Sequence, residues 1–304
     1  MPSTAINTEI LQSDYPKYRP KPSTTPLEIY SARLGFQTIG RLFPKRAADF
    51  LFDQFRTPRI RARHKRSDEL LEQAQIFEVL YGSRILKGYE WGTGERTVLL
   101  IHGWESRGTA LRSFVPGLLA NGFRVVAMDA PAHGDSEGKQ TDLIDFGRSI
   151  VAMLRHLGSV ESLICHSFGG AAASYALAEV ATDVTVNSIV YIGVPYSVEV
   201  PYQNIMRLLR LPSGVAHEFK ANLSELVQRD ISKFSIGEFR QKLPFQRVLV
   251  VHDKQDKDVP FINGERIADG WDIATLLVTD GYGHFVVVKN PDVIERVNNF
   301  VSDQ

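Results

Sequence analysis

Across 304 residues, 35 Lys and Arg balance 35 Asp and Glu, and hydrophobic residues make up 43%; a chain of this kind fills one large domain or two small ones, and its zero net charge excludes bulk electrostatic attraction to nucleic acid or to an anionic membrane. The single cysteine, Cys165, excludes an internal disulfide framework and fits a reducing, cytoplasmic setting. No apolar run approaches the ~18 residues of a membrane span, and the opening "MPSTAINTEILQSDYPKY" lacks the basic and apolar segments of a secretory signal.

Residues 1–26 are polar and carry Pro16, Pro20, Pro22 and Pro26, which predicts an extended tail or a strap over the surface. Apolar positions then recur at helical spacing: Leu27, Tyr30, Leu34, Ile39, Leu42, Phe50, Leu51 and Phe55. They predict two helices divided at Pro44. The expectation is that these helices pack on the body of the protein, with a membrane-surface anchor or a dimer contact as alternatives. A basic run follows (Arg56, Arg59, Arg61, Arg63, Lys65, Arg66), then a short helix, "SDELLEQA", with Ser67 as its N-cap.

From residue 75 the pattern changes. "QIFEVLY" and "SRILKGYEW" flank Gly82 and predict a hairpin. The runs "TVLLI", "FRVVAMD", "SLICH", "SIVYIG", "RVLVVHD" and "ATLLVT" then alternate with helix candidates at 108–120, 141–157, 168–180, 262–269 and 292–302. Short, β-branched apolar runs suit strands buried on both faces of a parallel sheet. The strand–helix repeat predicts an α/β architecture with right-handed crossovers. Residues 196–246 are too long for a simple crossover and read as helices inserted as a cap. The expected organisation is a tail and helical extension at 1–74, a core at 75–195 and 247–304, and the cap at 196–246.

"CHSFGG", residues 165–170, closes one of these strands on Ser167. The pattern for a serine exposed on a strand-to-helix turn is G-x-S-x-G; here Cys165 replaces the first glycine, and Gly169 and Gly170 follow. A serine hydroxyl needs an adjacent base and an exposed geometry to act as a nucleophile, and a serine opening a helix can equally be a simple N-cap. Other stretches bear on the choice: "LLIHGWE" (99–105), "MDAPAHGDS" (128–136), "VVHDKQDKDVP" (250–260) and "GYGHF" (281–285). With "CHSFGG" they occur in the order seen in the α/β-hydrolase superfamily, which the chain resembles over roughly residues 75–302.

The resemblance implies an α/β-hydrolase fold, with a mostly parallel central sheet flanked by helices, and a catalytic triad in the chain order Ser, acid, His. Ser167 falls at the apex of the nucleophile elbow. Of the histidines after it, His217 lies in the cap and His252 ends a strand, which leaves His284 as the base. Asp253, Asp256 and Asp258 compete for the acid; the Val259–Pro260 pair sets the family register on Asp256, with Asp258 the main alternative. Backbone N–H groups of Trp104 and Phe168 would form the oxyanion hole. Cys165, two residues before the apex, reads as packed rather than reactive, and His102 as a residue that holds its turn.

Cap-bearing relatives with an aspartate at the apex include epoxide hydrolases and haloalkane dehalogenases. Ser167 instead points to cleavage of a carboxylic ester, thioester or lactone through an acyl-enzyme. C–C bond hydrolysis, perhydrolysis and a non-catalytic binding module remain as alternatives. No C-x₂-C or H-E-x-x-H spacing calls for a metal, and no glycine-rich loop precedes a helix, so no metal or cofactor is expected. The expected partner is a small acyl substrate. Nucleic acid and membrane contact are not expected, and a homodimer is left open.

Overall fold

The computed structural model describes residues 6–18, 26–62, 68–181 and 183–303. Nine strands build one sheet: β1 (Asn7–Ile10), β2 (Gln75–Tyr81), β3 (Arg84–Trp91), β4 (Thr97–Ile101), β5 (Arg124–Met128), β6 (Ser162–His166), β7 (Ser188–Ile192), β8 (Arg247–Asp253) and β9 (Ala274–Thr279). Their spatial order is β1-β9-β8-β7-β6-β4-β5-β3-β2. The β2–β3 hairpin turns at Gly82, and β3 runs antiparallel to β5. All pairings from β5 across to β1 are parallel.

Among the described residues, thirteen α-helical segments surround it: α1 (Leu27–Gln37), α2 (Ile39–Leu42), α3 (Pro44–Phe55), α4 (Glu69–Glu72), α5 (Val115–Ala120), α6 (Leu143–Leu157), α7 (Phe168–Tyr175), α8 (Glu199–Leu209), α9 (Ser213–Leu226), α10 (Ile236–Phe239), α11 (Ile262–Ala268), α12 (Gly283–Val286) and α13 (Pro291–Ser302). Every residue of β4, β6 and β7 is buried, as strands covered on both faces require. Side chains alternate between two apolar layers. Leu163 of β6 joins Leu154 of α6, Ala172 of α7 and Ile267 of α11 on one face. Its neighbour Ile164 joins Phe114, Leu118 of α5 and Val297 of α13 on the other. Local signals set the helix ends: the Asp142 side chain caps α6 by accepting from the Asp145 N–H at 2.9 Å, and Gly158 ends it at φ 77°.

The boundaries differ from the sequence reading in particular places. The candidate helix at 108–120 opens with a 3₁₀ stretch, Gly108–Phe114, before α5. Within the segment predicted as an extended tail, β1 adds to the sheet beside β9, tied by an ion pair between Glu9 and Arg296 of α13 at 2.8 Å. The predicted cap Ser67 lies outside the described residues; the Asp68 side chain caps α4 by accepting from the Leu71 N–H.

Pro44 opens α3 at its first turn, where its missing N–H costs nothing. The N-terminal helices pack on the helices between β7 and β8. Phe36, Ala48 and Leu51 are buried, the Phe55 ring meets Phe219 of α9 edge-on at 5.6 Å, and burying a ring such as Phe219 contributes roughly 1.5–3 kcal/mol. Of the apolar positions picked out by sequence periodicity, Leu51 and Phe55 turn inward, while Leu27, Tyr30, Leu34, Ile39, Leu42 and Phe50 are exposed. Among the described residues, no helix is long and apolar enough to cross a membrane.

Candidate active site

Ser167 joins β6 directly to α7 and adopts φ 53°, ψ −128°, a conformation that costs a non-glycine residue on the order of 1–3 kcal/mol. Close packing around the turn enforces it. A Cβ added at Gly103 would come within 2.9 Å of the Ser167 Cβ, and one added at Gly169 or Gly170 would strike the His102 carbonyl or the Val194 side chain. The glycine missing from the elbow pattern is not needed where Cys165 stands: it is a fully buried strand residue between Ile101 and Tyr191. Burial pushes its thiol pKa well up, so Cys165 is a packing residue, without the thiolate that reactivity requires.

The loops after β8 and β9 meet Ser167 at the carboxyl end of the sheet. His284 Nε2 lies 2.9 Å from Ser167 Oγ, and His284 Nδ1 lies 2.7 Å from Asp256 Oδ2. Asp256 and His284 are buried, and Ser167 is partly open. The other Asp256 oxygen accepts from the N–H groups of Asp258 (2.9 Å) and Val259 (2.8 Å), which fixes the carboxylate. Asp258 is exposed, although one of its oxygens lies within 4.8 Å of the Asp256 and His284 donor atoms. Those three residues could in principle offer metal ligands, but Asp256 and His284 are already engaged with each other, with backbone N–H groups and with Ser167.

The structure therefore brings Ser167, Asp256 and His284 together and leaves the other candidates apart. His217 is exposed on α9. His252 is buried, with Nε2 donating to the Val259 carbonyl at 2.9 Å; burial lowers its pKa, and it braces the acid loop as a neutral ring. His102 accepts from the Ala130 N–H at 3.1 Å and so donates through Nδ1 to the Gly103 carbonyl, holding its turn. Trp104 follows that turn, and Phe168 is the first residue of α7. The Trp104 ring packs edge-on to Phe168 at 5.3 Å and to His133 at 5.1 Å. Among the described residues, neither the Trp104 nor the Phe168 N–H donates to a protein acceptor.

Sequence reasoning missed several supports. Asp253 accepts from Thr279 Oγ1 (2.8 Å) and from the Tyr282 N–H (3.0 Å), pinning the acid loop to the histidine loop. Burial raises its pKa, but the donors from Tyr282, Gly283, Thr279 and Gln255 outweigh it and hold the carboxyl below its ordinary range. Asp129 does the same one loop away, accepting from Gly108 N–H (2.6 Å), Asp135 N–H (2.8 Å) and the Tyr89 hydroxyl (2.7 Å). Asp253 ends β8 and Asp129 directly follows β5, both on the carboxyl edge, a position the sequence shows without revealing the supporting role. His133 accepts from the Glu105 N–H at 3.0 Å, and burial, reinforced by His102, lowers its pKa to about 3.

An alpha/beta hydrolase family model matches residues 98–297. Over 81 residues the chain is 33% identical to the pyrethroid hydrolase of Sphingobium wenxiniae, a match covering 26% of this chain and 29% of that protein. The chain thus spans less than a third of the length of the curated relatives it matches. Among solved structures, an esterase of Pyrococcus furiosus superposes with a TM-score of 0.61 at 19% identity, covering 81% of this chain and 96% of that one. A bromoperoxidase of Bacillus anthracis gives 0.59 at 17% identity, covering 75% and 100%. With most of the sheet, the elbow and the residues meeting at it inside the matched segment, the chain belongs to the alpha/beta hydrolase family.

Proposed function

We propose that the protein is a serine hydrolase that cleaves a carboxylic ester, with Ser167 as nucleophile, His284 as base and Asp256 as the orienting acid. The observation that carries this reading is the unbroken relay from Asp256 Oδ2 through both nitrogens of His284 to Ser167 Oγ, at 2.7 and 2.9 Å, ending on a serine held at positive φ. An N-cap serine has no need of that strain or of a buried imidazole–carboxylate pair.

In this mechanism His284 takes the hydroxyl proton as Ser167 Oγ attacks the acyl carbonyl. Asp256 fixes the imidazole in the tautomer whose Nε2 is free to accept, and stabilises the imidazolium that forms. The carbonyl oxygen gains negative charge and is met by the N–H groups of Trp104 and Phe168, the latter at the positive end of α7. His284 then protonates the leaving alcohol, and the acyl group stays on Ser167. Water deprotonated by His284 attacks that ester and restores the serine. Residues 196–246 act as the cap, with Asn204 of α8 donating to the Asp258 backbone carbonyl at 3.0 Å; the partly buried Ile205 and Met206 would face an apolar acyl or alcohol group.

The fold shared with esterases and the segment shared with a pyrethroid hydrolase point the same way. The test is a panel of p-nitrophenyl esters and acyl thioesters of increasing chain length. Hydrolysis by the wild type that disappears in Ser167→Ala supports the reading; turnover that survives the substitution contradicts it.

A further inference from the structure

The helices α1–α3 expose an apolar face of unusual density. Leu27 is 80% exposed, Leu42 75%, Leu34 67%, Ile39 65% and Phe50 60%, with Tyr30 and Phe43 about half exposed. α1 is apolar on two sides: Ile29, Ala32 and Phe36 turn inward, and Leu27, Tyr30 and Leu34, at i, i+3 and i+7, turn outward. Leu208 of α8, also exposed, extends the face next to Arg33, whose Nε donates to the Leu208 carbonyl at 2.8 Å. Contiguous exposed apolar surface of this kind marks an interaction site in soluble proteins.

The charge on these helices leans basic. Across residues 26–55 the chain carries Arg33, Arg41, Lys45 and Arg46 against Glu28, Asp49 and Asp53. Lys45 pairs with Asp49, but among the described residues Arg33, Arg41 and Arg46 have no carboxylate partner. Arg33 and Arg46 instead lie over the rings of Tyr30 and Phe43. Some arginines elsewhere pair with carboxylates, as Arg56 does with Asp142 and Arg84 with Asp145, while Arg240 and Arg247 also lie over rings, those of Trp271 and Phe300.

We propose that this face docks the protein on an anionic lipid surface. Aliphatic and aromatic tips inserted at the headgroup level, flanked by arginines without carboxylate partners, are what such a surface recognises. A second copy of the chain fits poorly, because a two-fold contact places the same patch against itself and would oppose Arg33, Arg41 and Arg46 to their own kind. The face also lies at the end of the molecule where Ser167 opens. α3 packs on α9 in the insertion that leaves β7 at its carboxyl end, and the segment after α3 is tied beside the Trp104 turn through Arg59 and Glu105. A bilayer held there would present membrane-dissolved molecules to that end of the sheet.

The test is co-sedimentation of the full chain with vesicles of phosphatidylcholine, alone or with about 30 mol% phosphatidylserine. The full chain should pellet with the anionic vesicles at low salt and lose that binding as salt rises. Leu34→Glu/Leu42→Glu, both exposed, should weaken binding by roughly tenfold or more while keeping the wild-type melting temperature and turnover of a soluble short ester. Arg41→Glu/Arg46→Glu should do the same. No binding to anionic vesicles overturns the proposal, as does equal binding to pure phosphatidylcholine or binding that neither variant weakens. A wild-type dimer in light scattering that the leucine variant converts to monomer, without any vesicle binding, assigns the face to a second copy and overturns it too.

Discussion

The imidazole of His166, the residue before the elbow apex, lies against that of His284 with 4.7 Å between ring centroids, and His166 Nε2 donates to the His284 backbone carbonyl at 2.9 Å. The strand that leads to Ser167 thus holds the loop that carries His284. His166→Leu leaves the His284 carbonyl without its donor in a buried site, which costs about 1–3 kcal/mol. Chemical denaturation should show that loss, and the rate on a soluble ester should fall. Unchanged stability would mean that the contact carries no weight.

A pH dependence of stability follows from the same ring. Burial, with His284 adding to it, lowers the His166 pKa to about 3, and burial beside His102 does the same for His133. Unfolded, each histidine titrates near 6.5. Above that value neither state is protonated and nothing is lost. Below it the unfolded chain takes up protons that the folded protein refuses, so stability falls with pH down to about 3, at ~1.4 kcal/mol per pH unit for each histidine. The pair would remove on the order of 4 kcal/mol by pH 5. The melting temperature should drop between pH 7 and 5, and His133→Gln should make the fall shallower by about one proton. A flat profile over that range contradicts the neutral, buried assignment.

Asp256 and Asp258 are separated by a single residue but differ in what they touch. Asp256 contacts the His284 ring and accepts two backbone N–H groups, and Asp258 is exposed. Asp256→Asn should lower kcat/KM on the order of 10⁴-fold by losing the correct imidazole tautomer, whereas Asp258→Asn should stay within a few-fold of wild type. The reverse order would move the acid to Asp258.

Much of this arrangement is legible in the sequence. The strand runs are apolar and β-branched because their faces are covered, so β4 to β9 stood out from the helices between them. Ser167, Asp256 and His284 were singled out by chain order and by the Val259–Pro260 register, and the structure brings them together. The sequence offers Asp253 only as a candidate acid and Asp129 not at all, because an aspartate at the end of a strand looks the same whether it faces water or gathers donors from loops far along the chain. β1 is four residues at an edge, with only one of them partly buried, and carries no periodic signal. On α1, periodicity announced an amphipathic helix but could not choose between two apolar faces, and the face it picked, Leu27, Tyr30 and Leu34, is the exposed one.

The central claim is that Ser167 forms the covalent acyl intermediate. The most direct measurement is intact-protein mass spectrometry after treatment with a fluorophosphonate, followed by peptide mapping. A nucleophilic Ser167 gives a single phosphonyl adduct on the peptide carrying it, formed faster in the wild type than in His284→Ala and absent in Ser167→Ala. An adduct on another residue, or labelling of Ser167→Ala at the wild-type rate, would contradict it.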